Sequence, residues 1–141
     1  MPEIFTLARD GQRPLRFTGT LLAKRDGCRQ DGRDQSRYYT LSLYHTADDA
    51  VLAHIEYATR WQGEAHHSVV YQCADAEEAI AKLERFDPLE WVVGFKPQIN
   101  HSPASTQHYT PRQEALERSI HERYNAQFAE IALALNIVEE L

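Results

Sequence analysis

Histidine is the residue type in this 141-residue sequence best suited to metal binding and proton transfer, and it occurs seven times. His66 and His67 are adjacent, so on a strand they would point to opposite faces and could not bind one metal ion. His45 and His54 fall on neighbouring predicted strands, several residues out of register. Because no His-x-x-x-His or Cys-x-x-Cys spacing occurs, the sequence predicts no metal and no cofactor.

Cysteine and serine are the candidate nucleophiles. The sequence has no Gly-x-Ser-x-Gly elbow, and Cys28 lies in a polar segment without a histidine nearby. Arg25 and Arg29 flank Cys28 and should lower the pKa of its thiol, whereas Cys73 fits a buried strand position. We therefore expect no catalytic residue.

Basic side chains are concentrated in residues 24–37. The segment contains Lys24, Arg25, Arg29, Arg33 and Arg37. Beside the tyrosine-rich strand that follows, it could contact phosphates and stack bases. Its three aspartates reduce the net charge to +2, which favours a solvated loop. Nucleic-acid contact is therefore an alternative function.

Composition places the chain among globular proteins, with 43% apolar and 26% charged residues. The net charge of −6 is uneven, because residues 1–45 carry eight Lys and Arg against five Asp and Glu. No apolar run follows a basic N-terminus, and no run of about 18 apolar residues occurs. With only two cysteines, these features predict a cytoplasmic protein without membrane contact.

Alternation of apolar and polar residues predicts strands at 16–24, 37–45, 51–60 and 68–73, with a loop at 24–37. Short turns join the later strands, which indicates an antiparallel meander. The residues expected to share faces are Phe17, Gly19, Leu21 and Ala23 on the first strand, Tyr39, Leu41 and Leu43 on the second, and Val51, Ala53, Ile55 and Tyr57 on the third. Residues 91–95 fit either a fifth strand or a buried helical turn.

Two helices are predicted after the sheet. Asp75 and Glu78 form a capping box, and Asp87-Pro88 ends the first helix. The second helix begins at Thr110-Pro111 and runs for about 28 residues. Its apolar stripe comprises Leu116, Ile120, Tyr124, Phe128, Ile131, Leu135 and Val138. The stripe either needs a partner chain or folds back across the sheet.

These elements predict an α+β fold with an antiparallel meander sheet of four or five strands, one packed helix and a long C-terminal helix. Residues 1–96 would form the sheet and first helix, and residues 97–110 a linker. Residues 111–141 would form an amphipathic helix that belongs to the same domain or serves as a dimerisation element.

The segment from Leu41 to Glu78 contains Leu43-Tyr-His-Thr46, Thr59-Arg-Trp-Gln-Gly-Glu64 and the helix start Asp75-Ala-Glu-Glu78. It is similar to small uncharacterised bacterial proteins that carry a Thr-x-Trp-Gln-Gly-Glu turn. The resemblance implies no activity, and it suggests an accessory protein with a binding role.

The Thr-x-Trp-Gln-Gly-Glu segment reads as a tight turn in which Gly63 supplies backbone freedom. Trp61 would close the end of the core, or would lie exposed beside Arg60 and Glu64 as an interface anchor.

We therefore expect a non-enzymatic binding or regulatory module that acts through protein–protein contact and forms a homodimer. The predicted interface comprises Trp61, Arg60, Glu64, Tyr124, Phe128, Ile131 and Leu135. One alternative is nucleic-acid association through residues 24–37, and the other is a small enzyme with a site around His54, Glu56 and Tyr71.

Overall fold

Alternating and amphipathic segments form seven strands and two helices within residues 2–30, 33–92 and 111–137, which the computed structural model describes. The strands are β1 (Glu3–Leu7), β2 (Leu15–Asp26), β3 (Arg29–Gln30), β4 (Arg33–Asp34), β5 (Arg37–Thr46), β6 (Val51–Thr59) and β7 (His67–Cys73). The helices are α1 (Ala76–Arg85) and α2 (Pro111–Ala134).

The main sheet has the order β1-β2-β5-β6-β7, and every neighbouring pair is antiparallel. This confirms the α+β fold and the meander. The course of the chain differs from the prediction in two places. Residues 24–37 are not a plain loop, since β2 continues to Asp26 and β3 pairs with β4 in a separate hairpin. The edge strand β1 was not predicted.

The helices cover one face of the sheet, where α1 packs on β6 and β7 and α2 packs mainly on β2. The strand alternation predicted for β5 and β6 is confirmed, because their apolar residues point into this core. They are Tyr39, Leu41, Leu43, Val51, Ala53, Ile55 and Tyr57. Burying such side chains supplies most of the free energy that holds helices on a sheet.

A bulge in β2 changes the expected faces of its side chains. Leu21 lies opposite Tyr44 and Ala23 lies opposite Leu43, so the register shifts between them. Ala23 therefore joins the helix-covered core, while Leu21 remains on the other face. The prediction that both share a face was wrong, because an extra residue in one strand reverses the alternation beyond it.

The sheet is curled so that its uncovered face encloses a second, smaller core. Phe5 on β1 contacts Tyr44 on β5 across the intervening strand, with ring centroids 4.8 Å apart. The chain after β1 reaches the opposite edge, where the Asp10 backbone N–H donates to the Ser68 carbonyl at 2.8 Å. The curl therefore brings the two edge strands together at one end of the sheet.

The predicted capping box of α1 is present. The Glu78 N–H donates to Asp75 Oδ1 at 2.8 Å, and the Glu78 carboxylate accepts from the Ala74 N–H. These contacts satisfy two donors at the helix start. Asp87 follows the helix, as predicted, and its carboxylate accepts from the Leu89 N–H.

Helix α2 has 24 residues, slightly fewer than predicted. Asn136 adopts a φ of 56°, and the Ile137 N–H donates to the Ala132 carbonyl, which is the pattern of a Schellman cap. Trp91 and Val92 lie in a turn after α1, while residues 93–95, the predicted linker 97–110 and Val138 lie outside the described residues. In the part of the chain that is described, neither helix has the length and apolarity needed to cross a membrane.

Candidate functional site

The turn between β6 and β7 is built around the partly buried carboxylate of Glu64. Arg37 donates two hydrogen bonds to Glu64 Oε1, from Nη2 at 2.6 Å and Nε at 3.0 Å. Thr59 donates its hydroxyl to Glu64 Oε2 at 2.6 Å and accepts from the Trp61 N–H at 3.1 Å. Gly63 closes the turn with a φ of +86°, a conformation that favours glycine. We call residues 59–64 the Trp61 turn.

Arg37 supports the indole of Trp61 as well as the carboxylate. Its guanidinium carbon lies 5.3 Å from the Trp61 ring centroid, in cation–π geometry, while the Trp61 side chain is 56% exposed. The same contact with Arg37 lowers the pKa of Glu64, and Glu64 raises that of Arg37. Trp61 therefore does not close the core but lies exposed on a hydrogen-bonded support. The two residues predicted to flank Trp61 at an interface have other contacts. The Arg60 guanidinium lies 3.9 Å from the Asp34 carboxylate, and Glu64 binds Arg37 beneath the indole.

The predicted interface residues of α2 face the chain's own core. Tyr124 and Ile131 are fully buried, and the Tyr124 hydroxyl donates to the Leu83 carbonyl of α1. Phe128 and Leu135 are partly buried against the same core. The apolar stripe thus folds back across the sheet, which is the second of the two arrangements that the sequence left open.

Among the basic residues of 24–37 whose side-chain contacts are described, Lys24, Arg25 and Arg37 do not form one surface. Lys24 lies on the uncovered face of the sheet, while Arg25 on the next position contacts Glu130 of α2 at 3.1 Å. Arg37 is engaged by Glu64, and Arg29 and Arg33 belong to the β3–β4 hairpin. Two of the five cations are thus neutralised by carboxylates distant in sequence, which weakens the electrostatic attraction expected for nucleic acid.

Cys28 differs from its predicted chemistry. Partial burial and the adjacent Asp26 carboxylate raise the pKa of its thiol, and the Cys28 N–H donates to Asp26 Oδ1 at 2.8 Å. The expected lowering by Arg25 and Arg29 was therefore wrong, because Arg25 is turned toward Glu130. A thiol with a raised pKa is a weaker nucleophile at neutral pH.

The three residues of the alternative enzyme site do not meet. His54 and Glu56 share the uncovered face of the sheet, because they are two residues apart on β6. Tyr71 lies opposite Ala53, on the face that the helices cover. Tyr71 instead packs under Lys82 of α1, whose Nζ is 5.7 Å from the ring centroid. The predicted grouping was wrong because the register between β6 and β7 places Tyr71 on the opposite face of the sheet from His54 and Glu56.

The environment of His54 and Glu56 nevertheless shifts the pKa of each side chain in the direction that favours its neutral form. Burial lowers the pKa of His54 to about 4, with a further contribution from the charge of Lys24. Burial also raises the pKa of Glu56, although Lys24 opposes that change. Desolvation disfavours charge on either group, which explains the opposite directions.

A cleft lies beside Glu56, at the end of the sheet where the two edges meet. Asp10, Ser68 and His67 contribute to its lining, and His67 Nδ1 lies 2.7 Å from Asp10 Oδ2. Sequence reasoning missed these residues because β1 was not recognised. The apolar residues Phe5 and Leu7 on either side of Thr6 were the signal for that strand.

Among the described residues, no group of three or more His, Cys, Asp or Glu side chains is arranged to hold a metal ion. Comparisons with protein-family models, with curated proteins and with solved structures find no match to this chain.

Proposed function

We propose that this protein is a non-enzymatic binding module that acts through protein–protein contact and uses Trp61 as its anchor. The observation that carries the proposal is an indole 56% exposed to solvent and held over Arg37 by a hydrogen-bonded turn. Exposed tryptophan supplies a large contact area, and tryptophan and arginine are the residues most enriched among binding hot spots.

Rigidity makes this tryptophan suited to binding. An anchor that is already fixed loses little conformational entropy when a partner covers it. The Arg37–Glu64 ion pair is half-buried, so it can hold the indole without being displaced by solvent. Arg60 and Asp34 lie beside the turn and provide a charged rim. The expected partner is therefore a protein with an apolar pocket for the indole and a polar margin.

The apolar stripe of α2 does not require a second copy of the chain, because the sheet and α1 already cover most of it. Homodimer formation, proposed from the sequence, would instead occur through the Trp61 turn. A cytoplasmic location belongs to the same proposal, and the two unpaired cysteines are compatible with a reducing compartment.

Replacing Trp61 by alanine is expected to weaken partner binding by at least about 2 kcal/mol, or roughly 30-fold, with little effect on the free energy of unfolding. The partner is first recovered by affinity purification from the native host, and its affinity for the purified wild-type and variant proteins is then measured by calorimetry. A sedimentation series with the protein alone tests the homodimer.

The matched control is Leu133→Ala, which removes an even more exposed apolar side chain from α2, away from the turn. Arg37→Ala should weaken binding less than Trp61→Ala, because the indole remains but loses its support. Equal affinity of wild type and Trp61→Ala would contradict the proposal. Recovery of nuclease-sensitive material that is lost at high salt and in Arg29→Ala would favour nucleic-acid association instead.

A further inference from the structure

A small cavity lies between α2, the start of β5 and the end of β6, and Arg37 of the Trp61 support is part of its wall. Its volume of about 10 Å³ is at the lower limit of the space that one water molecule needs. Buried side chains, among them Tyr57 and Tyr124, form one part of the wall, and the partly exposed Gln30 and Arg123 form another. We call this space the Arg37 cavity.

The Tyr57 hydroxyl is a polar group of this wall that needs a partner. Tyr57 is only 2% exposed, and its hydroxyl makes no hydrogen bond to any described residue. Burial raises the pKa of the phenol to about 12, so the hydroxyl keeps its proton at neutral pH, while the nearby charge of Arg37 acts in the opposite direction. A buried hydroxyl without a hydrogen bond is costly, so a small molecule that satisfies it is favoured.

The wall of the Arg37 cavity presents both donors and acceptors. Arg37 and Arg123 can offer it only donors, because a guanidinium has no acceptor. Gln127 is the opposite case, since its amide N–H groups donate to the carbonyls of Arg25 and Tyr39 at 3.2 and 2.7 Å. Its side-chain oxygen is therefore the atom left to contact the cavity. Water can both accept and donate, whereas an anion such as chloride can only accept.

We propose that the Arg37 cavity holds one ordered water molecule that links the Tyr57 hydroxyl to the Arg37 guanidinium, and that Tyr57 is thereby a positioning residue for Trp61. Buried waters in polar cavities commonly make about three hydrogen bonds, and this one has donors and an acceptor within its wall. The presence of the water is independent of the proposed function, but its effect on partner binding rests on that function.

Arg37 is the residue through which the water acts on the indole. Glu64 accepts from Arg37 Nε and Nη2, and the guanidinium carbon lies 5.3 Å from the Trp61 ring centroid. A guanidinium has five N–H donors, more than the two that this carboxylate oxygen accepts. A further hydrogen bond, from Arg37 to the water, restricts the guanidinium on the side of the cavity and so holds the plane on which the indole rests.

Crystals of the whole chain test the water directly. We expect one density peak within hydrogen-bond distance of Tyr57 Oη and of an Arg37 nitrogen at high resolution, and no such peak in Tyr57→Phe. Bromide-soaked crystals should show no anomalous peak in the cavity. A wild-type cavity without the water peak, or one that holds bromide, would overturn the proposal.

The mobility of the Trp61 indole in the free protein tests the positioning role. The heteronuclear NOE of its indole N–H should be lower in Tyr57→Phe than in the wild type, because the guanidinium beneath the ring is less restricted. Tyr71→Phe is the matched control, since it removes a tyrosine hydroxyl on β7 from a ring packed under Lys82 and away from the cavity. It should leave the NOE unchanged. Thermal unfolding confirms that each variant is folded.

Partner affinity separates this inference from the proposed function. Tyr57→Phe should weaken partner binding by at least about threefold, because a less restricted anchor loses more conformational entropy on binding. Wild-type indole mobility and wild-type affinity in Tyr57→Phe, alongside the expected loss in Trp61→Ala, would overturn the positioning role alone. Unchanged affinity in Trp61→Ala would instead contradict the proposed function, while the water and the indole mobility would still decide the inference about Tyr57.

Discussion

Truncating Ile131 to alanine is expected to lower the free energy of unfolding by about 2–5 kcal/mol, as is typical for a large-to-small change in a packed core. Ile131 is fully buried, with 0% of its surface exposed, among the residues of the sheet and α1. Leu133, two residues further along α2, is 72% exposed. Leu133→Ala is therefore expected to change the free energy of unfolding by less than about 0.5 kcal/mol.

Urea unfolding of both variants at two protein concentrations, tenfold apart, measures these effects. Because the chain itself covers Ile131, the unfolding midpoint should not depend on concentration in the wild type or in either variant. A midpoint that rises with concentration, together with a larger loss in Leu133→Ala than in Ile131→Ala, would contradict this arrangement. It would mean that α2 is stabilised mainly by contact between copies.

Acidification is expected to destabilise the protein through His54. An unfolded histidine has a pKa of about 6.5, and burial lowers the pKa of His54 in the folded protein to about 4. The unfolded chain therefore takes up a proton that the folded chain does not. The contribution of neutral His54 is complete above about pH 6.5 and is lost progressively as the pH falls to about 4, by roughly 3 kcal/mol in total.

His54→Gln isolates this effect, because the amide can still donate to Ser68 but does not titrate. The variant should be less stable than the wild type at neutral pH, since packing around the buried ring is altered. The difference between the two should narrow between about pH 6.5 and 4, because only the wild type loses the histidine contribution. Urea unfolding at intervals of half a pH unit measures both curves.

His45→Gln provides the control on the other side of the sheet. His45 is partly exposed and contacts Asp49 at 2.7 Å, and its replacement leaves His54 in place. This variant should retain the acid sensitivity of the wild type. Parallel stability curves for wild type and His54→Gln would show that the buried imidazole does not govern the response.

Local patterns were sufficient to predict much of the fold. The alternating faces of β5 and β6 and the cap of α1 at Asp75 are as expected. Each of these depends on residues within a few positions along the chain, where side-chain period and capping geometry act directly. The strand β1 was missed because an edge strand of five residues is a short signal.

The candidate sites could be predicted only in part. Trp61 and its turn could be recognised in the sequence, because a large aromatic residue stands two positions before a glycine that indicates a tight turn. Its support by Arg37 could not be derived, because Arg37 and Glu64 are 27 residues apart and meet only when the strands pair. The cleft has the same origin, since it requires the curl that brings Asp10 to Ser68.

The sequence by itself determined the class of fold, the meander, the helix starts and the core faces of the central strands, because these follow from periodicity and from contacts between close neighbours. Only the tertiary structure decided which charges are paired and which titratable groups meet. Arg25 contacts Glu130, 105 residues away, and a bulge in β2 reverses the faces beyond it. Such contacts depend on strand register and on the curl of the sheet, which no local pattern specifies.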